Sequence, residues 1–133
     1  MTERVHSGEG ALRLGIFNQS EDRFSQSLAK QRISIPADAQ SATLSYWYNP
    51  VSADFNDGDV QGALIFAADE SFVRRKLMRD LSDEQLWNQQ THDLSVFIGE
   101  DVVLYFYVDN DGNGLPSGMY LDDVSVQVCS GSE

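Results

Sequence analysis

Apolar and polar positions alternate with a period of two along most of this chain, the mark of strands with one buried face. Ala11–Gly15 alternates after the turn-like Ser7-Gly8-Glu9-Gly10. Ser25–Ile35 is a long, polar-rich strand that ends at Pro36. Ala42–Tyr48 is β-branched and aromatic and is expected to stop at Asn49-Pro50, since proline cannot donate to a ladder. Gln61–Ala67 is short and apolar, as a central strand is; Phe72–Arg79 is basic and alternating. The strongest strand is Asp101–Val108, and Met119–Val128 closes the series. Within Asp101–Val108, Val102, Leu104, Phe106 and Val108 share one face and Val103, Tyr105 and Tyr107 the other. The first set reads as core. Likewise Leu44, Tyr46 and Tyr48 alternate against Ser45 and Trp47. One helix is expected, over Ser82–Trp87, where a capping-type serine precedes an acidic first turn. Strands separated by turn signals predict an all-β protein: one antiparallel β-sandwich, most simply a jelly roll, over residues 1–133.

The closing strand has an anomaly. Asp122 and Asp123 are adjacent in the middle of an apolar pattern. Strict alternation sends one of them to the sandwich interior or its rim. A buried carboxylate then needs a cation, an arginine or several N–H donors.

Charge narrows the partners. The 133 residues hold 21 Asp and Glu against 9 Lys and Arg, a formal charge of −12. Nucleic acids and anionic membranes need a basic face and are disfavoured; divalent cations and neutral ligands are compatible. The same charge opposes self-association, so a monomer is expected. Hydrophobic content of 41% suits a folded domain. No apolar run approaches the ~20 residues of a membrane-spanning helix. Met1 runs directly into Thr2-Glu3-Arg4 without the character of a signal peptide, so composition alone allows a cytosolic protein or a module of a longer secreted one. Cys129 is the single cysteine, which rules out an internal disulfide.

Four segments, in order, resemble a known pattern. His6–Gly15 resembles an opening "SGxxSLRLG" strand, Ala42–Tyr48 an "ATLSFWY" strand, Trp87–Gly99 a "W…DLSxYxGxxVxLRF" segment, and Met119–Val126 a closing "FYxDDVSL" strand. This order is similar to that of the MAM-like and carbohydrate-binding-module-like jelly rolls appended to secreted bacterial glycosidases and peptidases. The resemblance implies an extracellular accessory module of a larger multidomain protein. It also implies a structural Ca2+ ion near Asp122 and Asp123, with Glu9 or carbonyls of the Ser7–Gly10 turn as further ligands. Satisfaction of those carboxylates by Arg13 or by backbone N–H groups is the alternative.

Two more acidic groups are candidates. Asp109-Asn110-Asp111-Gly112-Asn113-Gly114 fits the first half of an EF-hand loop. Its twelfth position is Tyr120 rather than Glu and helices do not flank it, so a true EF-hand is rejected. A polar turn and a calcium loop using Asp109 and Asp111 both stay open. The loop Asp54–Asp59 offers Asp57 and Asp59 as ligand contacts, or is a solvated turn.

Tyr105, Tyr107 and Trp47 are the candidates for sugar binding, because aromatic faces beside polar groups supply stacking area and oriented hydrogen bonds. Burial is the alternative for Trp47 and Trp87. Catalysis has little support: His6 and His92 are the only histidines, and no nucleophile elbow, zinc-binding pair or phosphate loop is present. Three functions follow: a non-catalytic carbohydrate-binding module, a calcium-stabilised structural or adhesion module without a sugar ligand, and, on abundant carboxylates alone, a small hydrolase.

Overall fold

The computed structural model describes residues 12–15, 24–52, 59–111 and 117–130. Its strands are β1 (Leu12–Gly15), β2 (Phe24–Ser34), β3 (Ala39–Ser52), β4 (Val60–Ala67), β5 (Val73–Asp80), β6 (Asn88–Asp93), β7 (Asp101–Asp111) and β8 (Ser117–Ser130). A 3-10 turn, Ser95–Phe97, links β6 to β7. Two four-stranded sheets form, in the orders β1-β8-β3-β6 and β2-β7-β4-β5. All their pairings are antiparallel. The expected all-β sandwich is therefore what the chain adopts.

The core lies between the sheets and follows the period-two pattern. Val102, Leu104, Phe106 and Val108 of β7 face Leu44, Tyr46 and Tyr48 of β3 and Met119 and Leu121 of β8 within one cluster. Each fully buried side chain of this kind contributes about 1.5–3 kcal/mol. Tyr46 packs edge-on against Phe106 at 5.0 Å and lies beside the His92 ring at 5.7 Å. Its hydroxyl meets His92 Nε2 at 3.2 Å, which satisfies a buried polar atom.

Four local expectations are corrected. Residues 82–87 form no helix. Their polar groups are used by distant partners: Gln61 Nε2 donates to the Ser82 carbonyl, the Asp83 carboxylate accepts from the Ser52 N–H, and the Gln85 N–H donates to the Pro50 carbonyl. Gln85 also sits at φ 55°, outside the right-handed helical region. Second, β3 does not stop at Asn49-Pro50 but continues to Ser52. The Pro50 carbonyl faces Gln85, so its nitrogen faces that side too, and pairing with β8 loses nothing. Third, the strands expected from sequence leave out the polar segment Asn88–Asp93, which is itself an edge strand, paired with β3.

The fourth correction concerns the anomaly in β8. Register shifts between Ser45/Ser125 and Trp47/Asp122, so Asp123 and Val124 together oppose Tyr46. Asp123 adopts φ 53°, the left-handed conformation of a β-bulge. The extra residue absorbs the second carboxylate. Asp122 is half-buried and Asp123 exposed, and neither enters the core; Asp122 Oδ1 accepts the Asp123 N–H at 2.8 Å.

At one end of the sandwich the core turns polar. Gln61, Asn110, Ser117, Ser52 and Asp59 are all buried. Ser117 Oγ donates to Asp59 Oδ2 at 2.7 Å, its N–H donates to Asn110 Oδ1 at 2.8 Å, and Asn110 Nδ2 donates back to the Ser117 carbonyl at 3.1 Å. This network ties β7, β8 and the start of β4 together.

Candidate functional site

The outward face of the β2-β7-β4-β5 sheet is built by register. Cross-strand partners share a face, so three rows can be read across it. One is Leu28–Tyr107–Gly62–Arg79, the next Lys30–Tyr105–Leu64–Lys76, and the third Arg32–Val103–Phe66–Val73. Gln26, Asp109 and Val60 begin a fourth. The centre of the face, from β7 and β4, is aromatic and apolar. Its two sides, from β2 and β5, are cationic.

The aromatic groups touch one another. Phe66 and Tyr105 have ring centroids 4.8 Å apart, and Tyr105 and Tyr107 6.1 Å. The Tyr107 ring lies directly over Gly62, where any Cβ would overlap it. Glycine is thus required at Gly62 for close approach. Tyr105 Oη donates to Gln26 Oε1 at 3.0 Å, and Gln26 Nε2 donates to Asp109 Oδ1 at 2.8 Å. Burial raises the pKa of both tyrosines, with Asp109 adding to the rise. Lys30 opposes it at Tyr105, and Arg79 at Tyr107. Both hydroxyls are therefore protonated donors at neutral pH. Half-exposed rings beside an amide, hydroxyls and fixed charges can stack on one face of a sugar ring and bond its hydroxyls.

The expected site residues do not converge on one place. Tyr105 and Tyr107 are together on this face. Trp47 is half-buried on the outward face of the other sheet, paired with Asp122 and Gln89. It points away from Tyr105 across the whole sandwich, so the two cannot hold one ligand. Asp59 is only 2% exposed, and its Oδ2 is occupied by Ser117. With Val60, Arg79, Asp80 and Leu81 it lines a cleft of about 250 Å³ at the end of the aromatic face. Asp57 and Glu9 lie outside the described residues. Asp109 is not in a turn: β7 carries it through to Asp111, and Asn110 between them points inward. The Asp111 backbone pairs with Phe24.

Calcium takes six to eight oxygen ligands. Among the described residues, Asp122 and Asp123 are adjacent, but no three Asp, Glu, His or Cys side chains come together.

The Arg74-Arg75-Lys76 cluster is divided by bulges in β5. Arg74 pairs with Glu100 at 2.6 Å and Arg75 donates to the Asp93 carbonyl at 2.8 Å, both guanidinium groups lying over Phe97. Lys76 alone goes to the outward face. Phe66, Leu64, Gly62, Gln26 and Arg79 were not singled out from sequence. Period two marks each as outward or inward, but only register shows that they meet the tyrosines.

No family profile and no curated protein matches this chain. Among solved structures it is similar to the carbohydrate-binding module TmCBM61 in complex with β-1,4-galactotriose, with a TM-score of 0.61 and 12% identity over 92% of this chain and 73% of that one. It is also similar to a family 16 carbohydrate-binding module, with a TM-score of 0.52 and 13% identity over 92% of this chain and 79% of that one. The likeness is one of fold: this chain folds as the β-sandwich that these carbohydrate-binding modules adopt.

Proposed function

We propose that this protein is a non-catalytic glycan-binding module that takes its ligand on the outward face of the β2-β7-β4-β5 sheet. The observation that carries the reading is the contiguous stripe Phe66, Tyr105 and Tyr107, half-exposed on a sheet surface and bordered by Gln26, Asp109, Lys30 and Arg79. A stripe of this kind binds by ring stacking, with hydrogen bonds fixing orientation. The fold likeness to two carbohydrate-binding modules supports the same reading. In this proposal the module is an accessory part of a secreted multidomain protein.

The test is isothermal titration against neutral and acidic oligosaccharides, with affinity gels for insoluble polysaccharide. Tyr107→Ala and Tyr105→Ala should each weaken binding at least tenfold, the effect of losing about 1.4 kcal/mol of stacking, while the far-ultraviolet spectrum stays native. Absence of binding across the panel would overturn the reading. A structural calcium ion is a separable part of the proposal: Asp122 and Asp123 would supply two carboxylates, with Glu9 as the further ligand that the resemblance implies. A melting temperature lower in EDTA than in Ca2+ supports it, and equal values remove it.

A further inference from the structure

We infer that the glycan taken by this face is an acidic polysaccharide, one whose sugars carry carboxylates, held by Arg79 and Lys76 beside the tyrosines. The inference rests on the glycan-binding reading and names its ligand class.

The distribution of cations is the starting point. On a chain of net charge −12, every described Lys and Arg except Arg13 lies on β2 or β5: Lys30 and Arg32 on the first, Arg74, Arg75, Lys76 and Arg79 on the second. Arg74 and Arg75 are turned toward Phe97 and occupied there. The other four border the aromatic stripe. The acidic groups on and beside the face already have partners. Glu70 holds Lys30 at 2.8 Å, Asp101 holds Arg32 at 2.9 Å, Asp109 accepts from Gln26, and Asp80 accepts from Tyr48. Among the described residues Lys76 and Arg79 enter no ion pair. Both are exposed, and they sit in the same cross-strand rows as Tyr105 and Tyr107.

Geometry places that charge within reach of a stacked sugar. The Arg79 backbone is two strands from that of Tyr107, about 10 Å at the usual strand spacing, and the Tyr107 ring spans part of that gap by lying over Gly62, which has no side chain to hold it off. A sugar ring resting on Tyr107 therefore lies over β4, next to the strand that carries Arg79. That planar group can take a carboxylate through two parallel hydrogen bonds. The Debye length at physiological salt is about 8 Å, so a bound glycan responds to the cations it touches more than to the charge of the whole chain.

The experiment titrates polygalacturonate and alginate oligosaccharides, the methyl esters of both, and neutral galactan against the wild-type protein and the variants Arg79→Gln, Lys76→Gln and Tyr107→Ala. The esters keep the sugar and remove the charge. We expect the acids to bind at least tenfold tighter than their esters, and Arg79→Gln and Lys76→Gln each to remove most of that preference without lowering the melting temperature. Tyr107→Ala should weaken acid and ester alike. Equal affinity for acid and ester, or binding of neutral galactan alone, overturns the acidic class and leaves the glycan reading standing. A preference for acids that survives both cation variants overturns the assignment to Arg79 and Lys76. Failure of every saccharide to bind overturns the glycan reading and this inference together.

Discussion

Replacing Gln61 by leucine should be among the most damaging single substitutions in this protein, although the residue lies in a short apolar strand. Gln61 is 0% exposed. Its Nε2 donates to the carbonyls of Val51 at 3.1 Å, Ser82 at 3.1 Å and Gly118 at 2.9 Å, and its Oε1 accepts the Ser82 N–H at 2.9 Å. That N–H can only donate, which fixes the amide orientation. One side chain thus fastens β3, β8 and the segment after β5 to β4. Leucine fills similar volume and removes all four contacts. A buried backbone group left without a partner costs about 1–3 kcal/mol. The amide has two hydrogens to share among the three carbonyls, so with the Ser82 N–H the equivalent of three bonds is lost, about 3 kcal/mol at the low end, partly offset by leucine's larger apolar surface. A net loss of about 2–4 kcal/mol is a large share of the 5–15 kcal/mol typical of a domain, and corresponds to a fall in Tm on the order of 10 °C. Urea titration followed by fluorescence of Trp47 and Trp87 measures it. The m-value should be unchanged. A loss below about 1 kcal/mol would refute the reasoning, since the four groups would then have found other partners. Gln61→Glu sharpens the test. It keeps size but points an acceptor at three carbonyls, so it should lose at least as much at neutral pH. It should recover part of that at acid pH, once the carboxyl carries a proton.

Gly62→Ala should displace the Tyr107 ring, because the new Cβ overlaps it. Affinity for glycan is expected to fall as far as in Tyr107→Ala, while stability changes by only about 1 kcal/mol, the ring being free to swing outward; unchanged affinity would remove Tyr107 from the platform. His92 should make stability pH-dependent. Burial, then the Arg75 charge, lowers its pKa from the ordinary 6.5. Below pH 6.5 the unfolded chain therefore takes up the proton first. Stability present above 6.5 should decline as pH falls toward the folded value, and His92→Gln should flatten urea-derived stabilities over that range. Tyr48, pushed up to about 12 by burial and by Asp80, should ionise mainly as pH approaches that value, so Tyr48→Phe should remove ultraviolet phenolate signal there and not near the ordinary 10. Cys129 is exposed and should react fully with a thiol reagent without denaturant.

What the sequence determined by itself is the inside and outside of each long strand. Solvent sorts side chains locally at period two, so Leu44, Tyr46 and Tyr48 of β3 and Val102, Leu104, Phe106 and Val108 of β7 were legible as core without knowledge of any neighbour. Tyr105 and Tyr107 were legible as outward for the same reason. Tertiary structure decided everything that depends on which strands pair and in what register. It placed Trp47 on the opposite sheet from the tyrosines, and put Gly62 beneath Tyr107 and Arg79 beside it. It also split Arg74 and Arg75 from Lys76 through bulges in β5, and absorbed Asp123 in a bulge of β8. It overrode the helical start at Ser82, because Gln61, Pro50 and Ser52 bind that segment's backbone and side chains from elsewhere in the chain. These outcomes rest on hydrogen bonds between residues far apart in sequence. Nothing in the local pattern encodes them, because alternation records burial and leaves open which partner buries each residue.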